Sequence, residues 1–527
     1  MKYISLTFGP ITRIIESAEN TRGLWAASYL FSYLAKKIIF HFKARKFLLP
    51  AIEDEMFTNN YLGAGIFPDR YIFESEDNDF DLLQQKVDEE LKCLAEKMAA
   101  VVNRNNSNLS KLSCFDKITT DELYAFLKQY LKVYFCEKNY EDSDSEKMMK
   151  EEFEKKVKKE SEKLLSLLEQ QESLVDQISD SKAYLERFFY NIPNSFLTED
   201  AGIGDKFPSI VEVSSGGCEN EQNLLPYERY IAIVKADGDS LGKALEAMAD
   251  ANILSKALLS FNEDASTTIS KFGGLPVYIG GDDLLFFAPV KNDGNSVFQL
   301  IDELDGNFKN CMQKTGLKES DYPTLSYGVS VSYYKFPMFE ALQLADSFLQ
   351  LAKSYSAPKD FSPLKNNIVF SLRKHSGQTR SVLIHKGNKN SYDSFLTFMN
   401  KYTSLDEKML LSSVMNSLRD KECMLTVALT NDMLANFFNN NFNEPVHKQY
   451  AQMFDDLKIF LTNTYKEYSS NECSVLQKLE YSMPDSMKYD KDKSKSVSFS
   501  EKAAKAAIET VFNTLQFIHL LNLKDNV

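Results

Sequence analysis

The sequence predicts an α+β chain with two ferredoxin-like domains, a helical connector and a C-terminal helical domain. Three observations predict it. Residues 230 to 371 alternate between apolar runs of strand length and helical periodicity, in the β-α-β-β-α-β order of a ferredoxin-like unit. Within them, Leu275 to Ala288 places the tetrad Gly280-Gly281-Asp282-Asp283 between two apolar runs, which reads as a tight β-hairpin. The chain also opens with strand, helix and strand patterns of the same kind, but without a Gly-Gly-Asp-Asp turn.

Taken in order, residues 3–8 read as a strand, 10–19 as a helix, 23–40 as a long helix and 70–73 as a strand. Trp25 is expected to pack on that long helix beside Leu24, Tyr29 and Leu30. The acidic stretch from Glu74 to Asp81 reads as a solvated loop. Residues 82–100 and 120–190 read as charge-rich helices, with Glu and Lys alternating over 141–163 at i,i+4 spacing. The Pro, Gly and Asn of 191–229 mark connecting chain. Strands at 230–236, 275–279, 284–288, 324–333 and 367–371 are separated by helices at 241–272, 295–314 and 338–354. From 390 onward the pattern is helical, with a polar break at 483–499. The resulting division is 1–200 for the first, degenerate domain with its charged helical insertion, 201–227 for the connector, 228–380 for the second domain and 381–527 for the helical one.

Composition bounds the function. A chain of 527 residues is long enough for three or four domains. It has no apolar run long enough for a membrane span and no signal-peptide pattern, so a cytoplasmic location is expected. Cys93, Cys114, Cys136, Cys218, Cys311, Cys423 and Cys473 are scattered without a Cys-x-x-Cys pair, so no zinc site is expected. The net charge of −14 opposes long-range attraction to a polyanion, so any RNA contact must come from a local patch or from partner subunits.

The chemistry is concentrated in carboxylates. Two adjacent aspartates on a hairpin tip repel each other unless a cation lies between them, and a divalent ion is the usual solution. A plain turn also favours Gly and Asp, so a second motif decides. Residues 230 to 236 read as a buried strand with Asp237 at its C-terminal end, followed by Gly238-Asp239-Ser240-Leu241 at a helix start. The free N–H groups from Gly238 to Leu241 suit phosphate oxygens. In a ferredoxin-like sheet this strand lies beside the hairpin, so Asp237, Asp282 and Asp283 converge as a two-metal nucleotidyl-transfer site. Gly280 and Gly281 are expected to leave room for the nucleotide.

These motifs resemble the palm of the nucleotide-cyclase and polymerase group. Other stretches narrow the resemblance: Leu6 to Ile11, Ala18 to Leu30, Phe67-Pro68-Asp69-Arg70-Tyr71 and Phe207 to Val213 are similar to the large subunit of type III-B CRISPR effector complexes, the Cmr complexes. The resemblance implies two facing palm domains. The second would make a nucleotide second messenger from ATP, either a cyclic oligoadenylate or an adenylate joined to an acceptor such as S-adenosylmethionine. It implies Mg²⁺ or Mn²⁺ on Asp237, Asp282 and Asp283, and a phosphate-binding role for Lys353 near the end of the 338–354 helix. It implies other Cmr subunits, a guide CRISPR RNA and a target RNA as partners. None of His41, His375, His385, His447 and His519 precedes an Asp, so the HD nuclease domain of many relatives is expected to be absent. Two other readings stand beside this one. A diguanylate cyclase would carry Glu-Phe where Asp283-Leu284 occurs, and a non-catalytic scaffold would keep the palm for assembly alone.

Overall fold

The structure is a computed structural model that describes residues 1–9, 21–58, 63–103, 118–140, 150–169, 188, 195–203, 207–248, 251–354, 365–403, 408–442, 445–448, 450–470 and 499–523. The expected helix at 10–19, residues 170–187 of the expected helical run at 120–190, and all of the expected polar break at 483–499 except Phe499 lie outside these residues.

The first domain is a four-stranded sheet. Its strands are β1 (Lys2–Gly9), β2 (Phe47–Leu49), β3 (Arg70–Ser75) and β4 (Lys132–Asn139), in the order β2-β3-β1-β4. The central strand β1 is antiparallel to both neighbours. Helix α1 (Thr21–Phe40) covers one face, and α2 (Asp79–Val102) and α3 (Thr120–Tyr130) complete the layer. Trp25 is fully buried on α1, stacks on Tyr29 at 5.0 Å and donates to the Gly63 carbonyl at 2.7 Å.

Two expectations need correction here. Lys132–Asn139 is a strand, not part of a helical run: α3 ends at Tyr130, and β4 pairs along its length with β1. The acidic stretch is only partly a solvated loop. Asp79 is buried, and its carboxylate accepts from Arg45 Nε at 2.7 Å and Nη2 at 2.9 Å, so the charge is removed from water as a bidentate pair. From Lys150 the i,i+4 charge pattern forms a helix, α4 (Lys150–Glu169), while its expected start at 141–149 lies outside the described residues.

The second sheet has six strands. They are β5 (Tyr230–Asp239), β6 (Leu275–Gly280), β7 (Asp283–Pro289), β8 (Thr324–Tyr333), β9 (Asn367–Arg373) and β10 (Thr379–His385), in the order β10-β9-β8-β5-β7-β6. The four strands β8-β5-β7-β6 are the ferredoxin-like unit and repeat the order of the first sheet. Strand β9 extends it in parallel to β8, and β10 adds an antiparallel edge beyond the five expected strands. The helices are α5 (Leu241–Ala247), α6 (Ala251–Lys271), α7 (Val297–Gln313) and α8 (Met338–Ser354).

Both faces of this sheet are buried, which explains its near-continuous apolar strands. Alternation along β5 sends Ala232, Val234 and Ala236 into a core shared with Phe298, Phe370 and the C-terminal helices, while Ile231 and Ile233 join Trp25, Tyr29 and Ala341 on the other side. The C-terminal part is helical: α9 (Lys389–Tyr402), α10 (Lys408–Asp420), α11 (Glu422–Thr430), α12 (Leu434–Asn441), α13 (Ala451–Ser470) and α14 (Phe499–Leu521). The segment between β2 and β3 reaches the second sheet. Gly65 bridges to Tyr278 on the edge strand β6, and Ile279 N–H donates to the Gly65 carbonyl at 3.3 Å. Among the described residues no helix is long and apolar enough to cross a membrane.

Candidate active site at the palm hairpin

Register places the three aspartates at one end of the sheet. Lys235 and Ala236 pair with Leu285 and Leu284, so the next position along β5, Asp237, lies across from Asp283. The hairpin closes at the Gly280–Asp283 pair, leaving Gly281 and Asp282 as a two-residue turn. Gly281 has φ +70°, the positive value that a primed hairpin turn requires at its first position.

The glycines divide by what surrounds them. A Cβ on Gly281 or on Gly242 would enter open space, so a ligand can approach both. A Cβ on Gly238 would collide with the Asp282 carboxylate, and one on Gly280 with the Tyr278 hydroxyl. The expectation that Gly280 leaves room for a nucleotide is therefore corrected: its space is filled from within, and Gly281 alone of the pair is open. Gly238 is small so that Asp282 can lie against β5.

Helix α8 crosses β5 and is tied to it by two reciprocal ion pairs. Lys235 Nζ reaches Asp346 at 2.7 Å, and Lys353 reaches Asp237. Lys353 Nζ also donates to the Gly238 carbonyl at 3.2 Å. The lysine singled out by resemblance thus does stand at the carboxylates.

Asp239 behaves differently from its neighbours. It is buried, and one carboxylate oxygen accepts from Ser326 Oγ at 2.6 Å, Asn366 N–H at 2.8 Å and Thr324 Oγ1 at 3.1 Å. Its side chain braces β5, β8 and the start of β9, so only its backbone remains for the expected phosphate contact. Ser240 follows at φ +63° and turns the chain into the short helix α5, opened by Leu241.

Electrostatics mark the hairpin tip. Lost hydration, then Asp237, pushes the Asp282 carboxyl above the usual carboxylate range. The Asp283 carboxyl is pushed up to about 7, first by lost hydration, then by Asp282 and Asp237, with Lys353 opposing and Asp69 of the first domain adding a last, small repulsion. Asp283 is itself exposed, so solvent screening reduces this effect. Among the described residues no three His, Cys, Asp or Glu side chains are drawn together closely enough to enclose a metal ion. The donor set nevertheless suits a divalent cation, because mutual repulsion and lost hydration are the costs that such an ion offsets.

The family comparisons bear on the same stretch. A family model described as "Cas10/Cmr2, second palm domain" matches residues 230–361, and one described as "CRISPR-associated protein Cmr2, N-terminal" matches residues 3–166. Together they take in more than half of the chain. The chain belongs to the Cas10/Cmr2 family. The CRISPR system Cmr subunit Cmr2 of Pyrococcus furiosus is 26% identical over 177 residues, which cover 28% of this chain and 19% of that protein. The chain is also similar to a solved structure of the type III-B Cmr-beta complex bound to cognate target RNA (12% identity, TM-score 0.47, 84% of this chain and 78% of that one). A Csm1-Csm4 cassette in complex with cA3 shows 11% identity and a TM-score of 0.47, covering 99% of this chain and 69% of that one. The carboxylate site falls wholly inside the second-palm match, and the Gly65 contact that abuts its hairpin falls inside the N-terminal one.

Proposed function

We propose that this Cas10/Cmr2-family chain is the RNA-activated nucleotidyltransferase subunit of a type III-B CRISPR ribonucleoprotein, and that it makes a nucleotide second messenger from ATP. The observation that carries the proposal is the register that sets Asp237 across from Asp283 at the end of a buried strand, with the Asp282 carboxylate lying against Gly238. ATP as substrate, the other Cmr subunits, the guide CRISPR RNA and the target RNA as partners, and S-adenosylmethionine as one acceptor follow from the family.

Asp237, Asp282 and Asp283 would hold Mg²⁺ or Mn²⁺. Bound there, divalent ions supply Lewis-acid activation of an attacking hydroxyl and neutralise charge on the triphosphate. The chain's own residues do the rest. Lys353 leaves Asp237 and turns its ammonium to the β- and γ-phosphates. Gly281 and Gly242 let the nucleotide approach the backbone, and N–H groups at the start of α5 face its phosphates. Buried Asp239 holds the strand end still while the triphosphate binds.

A scaffold without catalysis is a second reading. It is favoured by the Lys353–Asp237 pair, which neutralises part of the site with no metal. One assay separates the two. The full chain, assembled with its partners and a matched target RNA, is incubated with labelled ATP and Mg²⁺, with and without S-adenosylmethionine, and the products are read by mass spectrometry. An adenylate product with pyrophosphate release is expected. Its absence across Mg²⁺ and Mn²⁺ would establish the scaffold.

A further inference from the structure

We infer that Asn262 is a positioning residue that clamps the Gly280-Gly281-Asp282-Asp283 turn. The inference rests on the catalytic reading of that hairpin and adds a residue from outside the palm motifs.

Asn262 lies in the middle of α6, the helix that precedes the hairpin. The helix buries Leu254, Ala257, Phe261, Ala265 and Ile269 along one stripe, and Asn262 sits beside that stripe, 3% exposed. Asparagine is a poor helix former, and a buried carboxamide is costly unless its donors and acceptor are satisfied. Local structure alone therefore gives no reason for it. With the amide oriented by its hydrogen-bond partners, its nitrogen donates to the Gly281 carbonyl at 2.8 Å and to the Leu258 carbonyl at 3.1 Å. Its oxygen accepts from Gly281 N–H at 3.0 Å. One side chain thus satisfies both backbone polar groups of a single turn residue.

That residue is the one that needs holding. Gly281 lies beyond the last ladder pair, Gly280–Asp283, and a glycine at positive φ with open space around it has wide conformational freedom. The carboxylates of Asp282 and Asp283 follow immediately and are repelled by Asp237, which drives the turn away from β5. The Asn262 amide opposes that displacement and keeps the Asp282 carboxylate against Gly238. Asn262 is placed to touch the turn's backbone and not the reacting groups, so its effect passes through the direction in which the two aspartates point.

The test compares the full chain with Asn262→Ala and Asn262→Leu, the latter preserving volume if the smaller residue leaves a void. Hydrogen exchange of the turn, residues 279–284, reads the clamp itself. Mn²⁺ binding by the full chain reads its consequence, and ATP turnover by the assembled complex separates KM from kcat. Exchange at the Gly281 amide is expected to speed up about tenfold or more, the worth of one to two hydrogen bonds. Half-saturation by Mn²⁺ is expected to rise about tenfold on the same basis, with kcat reduced and the ATP KM at saturating metal little changed. Unchanged Gly281 exchange in a folded variant overturns the clamp. Faster exchange with unaltered Mn²⁺ binding and kcat overturns the positioning role. If the unmodified chain neither binds Mn²⁺ nor turns over ATP, the catalytic reading fails and the positioning role with it, while the exchange measurement still decides the clamp.

Discussion

The two sheets share one topology and differ at one hairpin. In each, the first strand of the unit is central and is flanked by its third and fourth strands. In the second palm, the neighbouring strand β7 is joined to the edge strand β6 by a two-residue turn that carries Asp282 and ends opposite Asp237. In the first, β2 and β3 are separated by residues 50–69, and part of that segment leaves its own sheet to bridge Gly65 onto β6 of the other. Strand β1 ends in Phe8 and Gly9, where β5 ends in Asp237 and Asp239. Under the proposed function, the same fold would serve as a reaction centre in one copy and as a platform in the other. Topology supplies neighbouring strand ends; what those ends can do depends on the residues placed there.

The largest effect should separate the copies outright. Asp282→Ala with Asp283→Ala is expected to lower messenger synthesis by about a thousandfold or more, the scale of lost charge stabilisation at a transferring phosphoryl group. Assembly should survive, because the tip contributes little packing. Retained synthesis in the double variant would sink the assignment of the second palm as the reaction centre.

Damage to the first palm should appear as instability. Trp25→Ala removes a fully buried indole, its stack on Tyr29 and its hydrogen bond to Gly63. A loss of about 3–5 kcal/mol is expected from denaturant unfolding, typical of a buried Trp→Ala change. An unmoved unfolding midpoint would show that the segment beside Gly65 is not held by α1.

Lys353→Met sharpens the comparison inside the second palm. It should reduce turnover about 10–100-fold, the worth of a hydrogen bond to a charged group, while the fold persists. Steady-state kinetics with ATP check it, and an unchanged KM and kcat would leave Lys353 as a structural partner of Asp237 alone.

The smallest effect is a pH dependence confined to the hairpin. The folded-state pKa of Asp283, about 7, lies above the ordinary carboxylate value. Its stabilising contribution is therefore fully present below the unfolded pKa and is lost as pH rises through about 7. Asp283→Asn should melt near the parent temperature at pH 4 and modestly above it at pH 8. Parallel melting curves for the two proteins across that range would show that hydration at the exposed edge cancels the repulsion.

Much of this was legible in the chain because it is local. Strand and helix periods, the Gly-Asp turn and the carboxylate at a strand end are written within a few residues of each other, and the strand order then places Asp237 beside the hairpin. Lys353 was found through resemblance, and the structure sets it against Asp237. Strand β4 was missed because Lys132 to Asn139 mixes charge with aromatics and is half-buried on both faces, so neither period dominates. Only tertiary contact decided the rest. Asp239 looks like Asp237 in sequence, yet Thr324, Ser326 and Asn366 turn it into a buried brace. Gly280 looks like Gly281, yet the Tyr278 hydroxyl fills the space beside it. Asn262 is one polar residue among many on a helix until the fold brings Gly281 to its amide. Sequence patterns determine which groups are available at a strand end or a turn, because those follow from backbone geometry over short range. Which of them faces a ligand and which faces the core is set by partners tens of residues away, and only the packed chain brings those partners together.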